Sequence, residues 1–399
     1  MGIITSNLFL NLGLIIVVSL IGAVILKKYS FPAVLVYIVI GMIISPSVLN
    51  LVNPTLLAYD SMITQITLSI IAFSIGETFL VKNLKFVGKP GAVLSVLQAF
   101  FTTMVVSGGL LLFNKWLHLS LPSILLLGTI AAATAPASTF MVIREYKAKG
   151  PFTNFLLAAV SIDDAVGILL FDIMMVVSKL MLGKSISNVG LSILVPVIDI
   201  VLSIGLGLIL GLLLAYTCQR IRGSSTYLIF SLGIILLTTG LCVSFKLSPL
   251  LCCMALGGAF ANFSNNSAEV FSAVENFSPP IMLLFFIVSG ANLDVTILST
   301  VGWIGLATIV LRTIGKLWGT QLAGKIAGIP PKISKYLGYA MLPQAGVAIG
   351  FALSVKTTFP ELEFITTIVV ANVVYSQIVG PLLAKYALFQ TGEATLDKS

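Results

Sequence analysis

The chain is expected to fold as an all-α polytopic membrane protein of about 13 transmembrane helices, and three observations carry that expectation. Of its 399 residues, 58% are hydrophobic and only 9% charged, against about 25% charged in a soluble domain. Apolar stretches recur at roughly 20 residues, the length that spans ~30 Å of hydrocarbon. The 34 glycines are spread through those stretches rather than gathered in linkers. A soluble enzyme, a disordered chain and a secreted disulfide scaffold are excluded.

Hydrophobic runs separated by polar or basic breaks place the spans at 5–26, 32–49, 61–80, 90–113, 121–142, 151–178, 189–216, 226–245, 248–264, 278–293, 300–325, 333–355 and 363–388. The first run starts near Asn7 with no basic residue before it and no small-residue cleavage pattern after it, so it reads as a retained helix. Basic residues then close the runs one after another: Lys27 and Lys28, Lys82 and Lys85, Lys115, Arg144, Lys179, Arg220 and Arg222, Lys246, Lys325 and Lys356. Eleven residues follow Leu388, too few for an attached soluble domain.

Loop charge orients the bundle. With the N-terminus outside, cytoplasmic ends carry Lys27, Lys28, Lys82, Lys85, Lys89, Arg144, Lys147, Lys149, Arg220, Arg222, Lys325, Lys332, Lys335, Lys385 and Lys398. The outer side holds Lys115, Lys179, Lys184, Lys246 and Lys356. These fifteen and five, with Arg312 and Lys316 inside a span, account for all 22 basic residues. The positive-inside rule therefore gives an N-out, C-in topology. The net charge of +8 is orientation information, and no nucleic-acid partner is expected. Cys218, Cys242, Cys252 and Cys253 read as small buried hydrophobes. His118, the single histidine, falls between spans and supports no histidine-based site.

Charges inside the spans carry the functional signal. A charge at a helix centre costs ~2.5–3.5 kcal/mol on insertion scales, and such residues usually line ion or proton paths. The segment AAVSIDDAVGILLF (158–171) puts Asp163 and Asp164 about twelve residues into the sixth span, near the midplane. Neighbours on a helix point about 100° apart, so one carboxylate can address a cation in a water-filled cavity while the other meets a fixed base. Desolvation and mutual repulsion let proton and cation compete there. In the eleventh span LRTIGKLWG (311–319) sets Arg312 and Lys316 four apart on one face. Lysine changes protonation state readily when buried and arginine effectively never does, so Lys316 is the base that can titrate and Arg312 a permanent counter-charge. A structural Asp–Lys bridge is the alternative. Glu77, Asp172 and Asp199 also fall in apolar runs; for Glu77, followed by Lys82 and Lys85, a structural role is favoured.

Two spans are interrupted. The fifth reads GTIAAATAPASTFMVI, with Ala135 and Pro136 between Thr134 and Ser138; the twelfth reads GYAMLPQAGVAIGFAL, with Pro343, Gln344 and Gly346. Broken helices offer half-helix dipole ends and free carbonyls, and deep in a membrane such backbone is tolerated where it lines a cavity. These spans lie seven apart in order, as do the third and tenth, which end in FSIGETFL (73–80) and IVSGANLD (287–294). An odd offset makes related units run in opposite directions, the inverted-repeat build of secondary transporters.

DDAVG at 163–167, GKLWG at 315–319 and TAPAS at 134–138, with LFFIVSGANLD and MLPQAGVAIG, make the chain resemble the monovalent cation:proton antiporter superfamily, specifically sodium/proton antiporters with paired aspartates. The resemblance covers nearly the whole chain. It implies two crossed discontinuous helices, the fifth and twelfth. It also implies dimerisation-side helices in 1–89 and 226–299, core helices in 90–178 and 300–399, and a linker helix in 179–225. Asp164 matches the aspartate that binds sodium or a proton, and Asp163 the partner aspartate of the electrogenic branch. Lys316 matches the lysine paired with that partner, and Thr134 the hydroxyl beside the unwound segment. Ser138 and the backbone around Ala135, Pro136, Pro343 and Gln344 complete the expected site, with Arg312 as counter-charge.

The resemblance implies a secondary active antiporter exchanging protons for Na+, with Li+ also accepted, by alternating access, electrogenic and multi-pass in the cell membrane. It is no enzyme and needs no cofactor beyond the transported Na+ and H+. Its partners are the lipid bilayer, monovalent cations and a second copy in a homodimer, with no soluble regulatory domain. Three other readings stay open at this point: a K+/H+ antiporter of the same superfamily, a sodium-coupled symporter of related fold, and a membrane sensor domain.

Overall fold

A computed structural model describes residues 7–28, 31–183, 189–293, 302–344 and 346–394, and it is helical throughout, with no strand among the described residues. The helices are α1 Leu8–Lys27, α2 Ala33–Ile44, α3 Pro54–Ala58, α4 Asp60–Gly76, α5 Val81–Leu112, α6 Asn114–Leu117, α7 Leu121–Ala132, α8 Pro136–Glu145, α9 Pro151–Met181, α10 Val189–Cys218, α11 Ser224–Phe245, α12 Pro249–Phe263, α13 Ser267–Ala291, α14 Gly302–Ile326, α15 Pro331–Ala340, α16 Gly346–Thr358 and α17 Phe364–Thr391. Lys184, Asp294 and Lys398, used above for loop charge or internal similarity, lie outside the described residues.

Among the described residues, seven stretches are long and apolar enough to cross a membrane: Leu8–Leu26, Gly88–Leu112, the interrupted Leu121–Glu145, Leu194–Cys218, Ser224–Phe245, Ser267–Ala291 and Phe364–Thr391. Shorter apolar helices lie at Ala33–Ile44, Asp60–Gly76, Pro249–Phe263 and Val347–Thr358. Two expected helix starts move furthest. The span expected from residue 278 begins at Ser267, because Pro279 and Pro280 sit inside α13 instead of opening it. The span expected from Pro90 begins at Val81, with Pro90 inside α5. Membrane helices accommodate such prolines because neighbouring groups re-satisfy the freed backbone.

The chain divides into two compact units. The first comprises residues 1–28, 36–86 and 197–292. Its core is aromatic: Phe73 stacks on Phe271 with ring centroids 4.8 Å apart, and Phe260 packs beside both. Thr239 donates to the Ser69 hydroxyl at 2.8 Å, joining α11 to α4. All four cysteines are buried free thiols.

The second unit comprises residues 29–35, 87–196 and 293–399. Two of its helices stop mid-course. Ser120 caps α7 by accepting from the Ser123 N–H, and the helix ends at Ala132; Ala133, Thr134 and Ala135 follow before Pro136 restarts the chain as α8. The Pro136 ring removes the N–H that would have continued the ladder. The second interruption, between Ala340 and Gly346, contains Pro343. The breaks are joined: the Ala135 N–H donates to the Pro343 carbonyl at 2.8 Å and the Gln344 amide to the Ile130 carbonyl at 2.9 Å. α17 reaches the second break through Gly380, where a Cβ would lie 2.9 Å from Pro343.

α9, which carries both aspartates, starts at a built cap. Gly150 (φ 155°) turns the chain, and Pro151 opens the helix. The Glu393 carboxylate then accepts from the Phe152 N–H at 2.6 Å and from the Thr153 N–H and hydroxyl at 2.8 Å each. An anion at a helix N-terminus satisfies orphan donors and complements the dipole. The segment after α17 thus fixes the start of α9.

Candidate functional site

The site forms in the second unit, where α5, α9, α14 and α17 meet the two breaks. Neither half-helix can satisfy its last carbonyls internally. Arg312 supplies the missing donors. Its Nε donates to the Ala131 carbonyl at 3.0 Å and Nη2 to the Ala133 carbonyl at 3.2 Å, at the end of α7. Nη1 donates at 2.9 Å both to the Leu342 carbonyl, after α15, and to the Ser376 hydroxyl on α17. One planar fork therefore pins both breaks, a geometry lysine cannot copy. Beside the counter-charge role expected of it, Arg312 complements the negative ends of two helix dipoles, and none of these hydrogen bonds goes to a carboxylate.

One turn further along α14, Lys316 is fully buried. Its ammonium donates to the Ala132 carbonyl, to the Thr134 hydroxyl at 2.6 Å and to the Gln98 carbonyl oxygen at 3.0 Å. Asp163 Oδ2 lies 3.6 Å from the Lys316 nitrogen. The Gln98 amide N–H donates to Asp163 Oδ1. α14 comes close enough to α5 for this through the glycines on either side of Lys316. A Cβ at Gly315 would lie 3.2 Å from Thr102 Cα, and one at Gly319 3.0 Å from Phe101 Cβ. Small residues at such contacts let membrane helices approach.

Asp164 stands apart. It is 5% exposed, and neither carboxylate oxygen has a hydrogen-bond partner among the described residues. A buried carboxylate without donors is costly unless it takes a proton or a cation. Ser138, in the first turn of α8, donates to the Gln377 side-chain oxygen at 3.0 Å, which leaves its own lone pairs free for a cation. Asp164, Asp163, Thr134 and Ser138 carry oxygens of the kind that suits a hard monovalent cation.

Of the residues singled out in the sequence, Asp163, Lys316 and Thr134 come together directly. Ala135, Pro343 and Gln344 form the tie between the breaks, with Pro136 opening α8 beside it, and Asp164 lies next to Asp163 on α9. Gln98, Ser376, Gln377 and Glu393 were not singled out. The first three are neutral polar residues in apolar runs, and their one visible signal is an amide or hydroxyl at a depth where it needs a partner.

A membrane bundle whose two interrupted helices are joined beside buried charges of both signs has the build of a secondary ion transporter. The chain belongs to the sodium/hydrogen exchanger family: residues 14–389 match the family described as "Sodium/hydrogen exchanger, transmembrane". It is therefore a multi-pass membrane antiporter exchanging monovalent cations and protons. Among its relatives, the K(+)/H(+) antiporter subunit KhtU of Bacillus subtilis (strain 168) is 23% identical over 397 residues, covering 95% of this chain and 93% of the relative. The Na(+)/H(+) antiporter of Enterococcus hirae is 22% identical over 387 residues, covering 94% and 96%. The solved sodium proton antiporter MjNhaP1 of Methanocaldococcus jannaschii shares the fold, with a TM-score of 0.67, 20% identity and coverage of 95% of this chain and 97% of that one.

Proposed function

We propose that the protein exchanges outward Na+ for inward H+ by alternating access, with Asp164 as the group that takes proton and cation in turn. The observation that carries this reading is the buried Asp164 carboxylate with both oxygens unpartnered. Asp163, Thr134, Ser138 and the backbone of the first break supply further oxygens, and Li+ is accepted as another hard cation. Family membership sets aside the symporter and sensor readings. K+ is the second reading, favoured because a relative matched about as well is named a K(+)/H(+) antiporter subunit. Vesicles holding an imposed pH gradient should lose it on addition of Na+. Loss with K+ and not Na+ moves the protein to the second reading, and no response to Na+, Li+ or K+ sinks both.

The exchange is electrogenic in this proposal. In the proton-loaded state Asp164 is neutral and Lys316 is charged against Asp163. Arriving sodium draws Asp163 away, Lys316 loses its counter-charge, and a second proton leaves. Two protons then cross for one sodium ion, and the membrane potential contributes ~2.3 kcal/mol per charge per 100 mV. Reversal potentials of wild type and Lys316→Gln test this. One proton per sodium in wild type defeats the electrogenic claim, and an electrogenic Gln variant makes Lys316 structural. About thirteen spans arranged as inverted repeats, an N-out, C-in topology and a homodimer in the cell membrane belong to the same reading. In it the first unit carries the dimer face and the second moves the ion, a split supported by the division of the chain into two compact units.

A further inference from the structure

Gln98 is completely buried on α5, its amide set between the two residues whose separation the exchange cycle needs. Its side-chain oxygen accepts from Lys316 at 3.0 Å, and its nitrogen donates to Asp163 Oδ1. Chemistry fixes that orientation, because an ammonium only donates and an ionised carboxylate only accepts. The direct Lys316–Asp163 separation of 3.6 Å is longer than a hydrogen bond. The amide therefore bridges the pair beside their direct ion pair. Three residues before Gln98, Ser95 donates to the Ala159 carbonyl at 2.9 Å, tying α5 to α9 one turn before Asp163. The glycines flanking Lys316 bring α14 against the next turn of α5. Gln98 thus sits on an element fixed to both partners.

We propose that Gln98 is a positioning residue that sets cation affinity: its amide holds Asp163 away from the cation, and cation binding must break that bond. The inference rests on the reading that Asp163 turns toward a cation at Asp164. An interaction made only in the cation-free state weakens cation binding by its own strength, so removing it tightens binding. Hydrogen bonds to charged groups are strong enough to make the effect about tenfold or more. The same bond keeps Lys316 and Asp163 aligned until the cation arrives, so proton release stays tied to cation uptake.

The test is Gln98→Met, which keeps an unbranched chain of similar size and removes both hydrogen bonds. Cation-dependent proton flux is measured in proteoliposomes across a cation titration, with folding checked by size exclusion and thermal melting. The expected result is a KM for the cation about tenfold lower than wild type, with a lower maximal rate because a tighter-held cation leaves more slowly. An amide that merely braces the core gives the opposite pattern, a raised KM with poorer folding. An unchanged or raised KM in a folded variant overturns the proposal. Cation-induced thermal stabilisation of Gln98→Met, alone and combined with Asp163→Asn, supplies a second readout. The gain in affinity should vanish in the Asp163→Asn background, and a gain that persists there overturns the route through Asp163. Should Gln98→Met not fold, Gln98→Asn, too short to bridge, takes its place in both measurements. Wild type and Asp164→Asn separate the two ideas. If wild type gives no cation response, or Asp164→Asn responds equally, the functional reading has failed. If wild type responds, Asp164→Asn does not, and Gln98→Met leaves KM unchanged, only the role of Gln98 has failed.

Discussion

Replacing Arg312 by lysine keeps the positive charge and removes the fork, so it separates the two roles a buried arginine can play. Arg312 is 1% exposed and donates to three backbone carbonyls and the Ser376 hydroxyl. Polar bonds inside membrane proteins average about 0.6 kcal/mol each, and bonds from charged donors elsewhere reach about 1.5 kcal/mol or more. Lysine can retain one of the four at best. Losing three gives a destabilisation of about 2 kcal/mol at the low end and about 5 kcal/mol at the high end. At roughly 2–4 °C per kcal/mol, melting of the detergent-solubilised protein should fall by about 4 °C at least and by as much as about 20 °C. Intrinsic fluorescence or dye-based melting measures it. Arg312→Lys melting with wild type would refute the fork and leave Arg312 a simple counter-charge. Arg312→Met should melt lower still, since it also removes the charge facing the two dipole ends.

Glu393→Ala deletes the carboxylate that caps α9, and helix caps are worth about 0.5–2 kcal/mol, so melting should fall by a few degrees; no change would mean the cap is replaced by solvent. Gly380→Ala places a methyl 2.9 Å from Pro343, and overpacking costs about 1–3 kcal/mol. Its melting temperature should drop, whereas Gly183→Ala, with nothing within 4 Å, meets no such neighbour and is limited only by its positive φ.

The charged members of the site stood out in the sequence because ionised groups in hydrocarbon are rare enough to be conspicuous. The two breaks stood out because proline beside small polar residues interrupts an apolar run. Gln98 did not, since one neutral amide in the run VLSVLQAFF (93–101) is inconspicuous in a membrane helix, and only folding sets it between Asp163 and Lys316. Glu393 lies in the segment after the last apolar run, where it reads as a solvated charge until α9 is brought to it. The partners of Arg312 were hidden for a similar reason: sequence shows that it must find some, and the approach of α7, α15 and α17 decides that these are three carbonyls and the Ser376 hydroxyl. The prolines at 90, 279 and 280 misplaced two boundaries because proline usually opens a helix. Inside a packed bundle the lost hydrogen bond is tolerated and the helix runs on.

The central claim is that one carboxylate, Asp164, takes cation and proton alternately. Proton release on cation binding tests it most directly, measured by calorimetry of detergent-solubilised protein in buffers of different ionisation enthalpy. Wild type should release protons as Na+ is added, and Asp164→Asn should neither bind the cation nor release protons while melting near the wild-type temperature. Undiminished proton release from Asp164→Asn would contradict the account and place the exchange at another group.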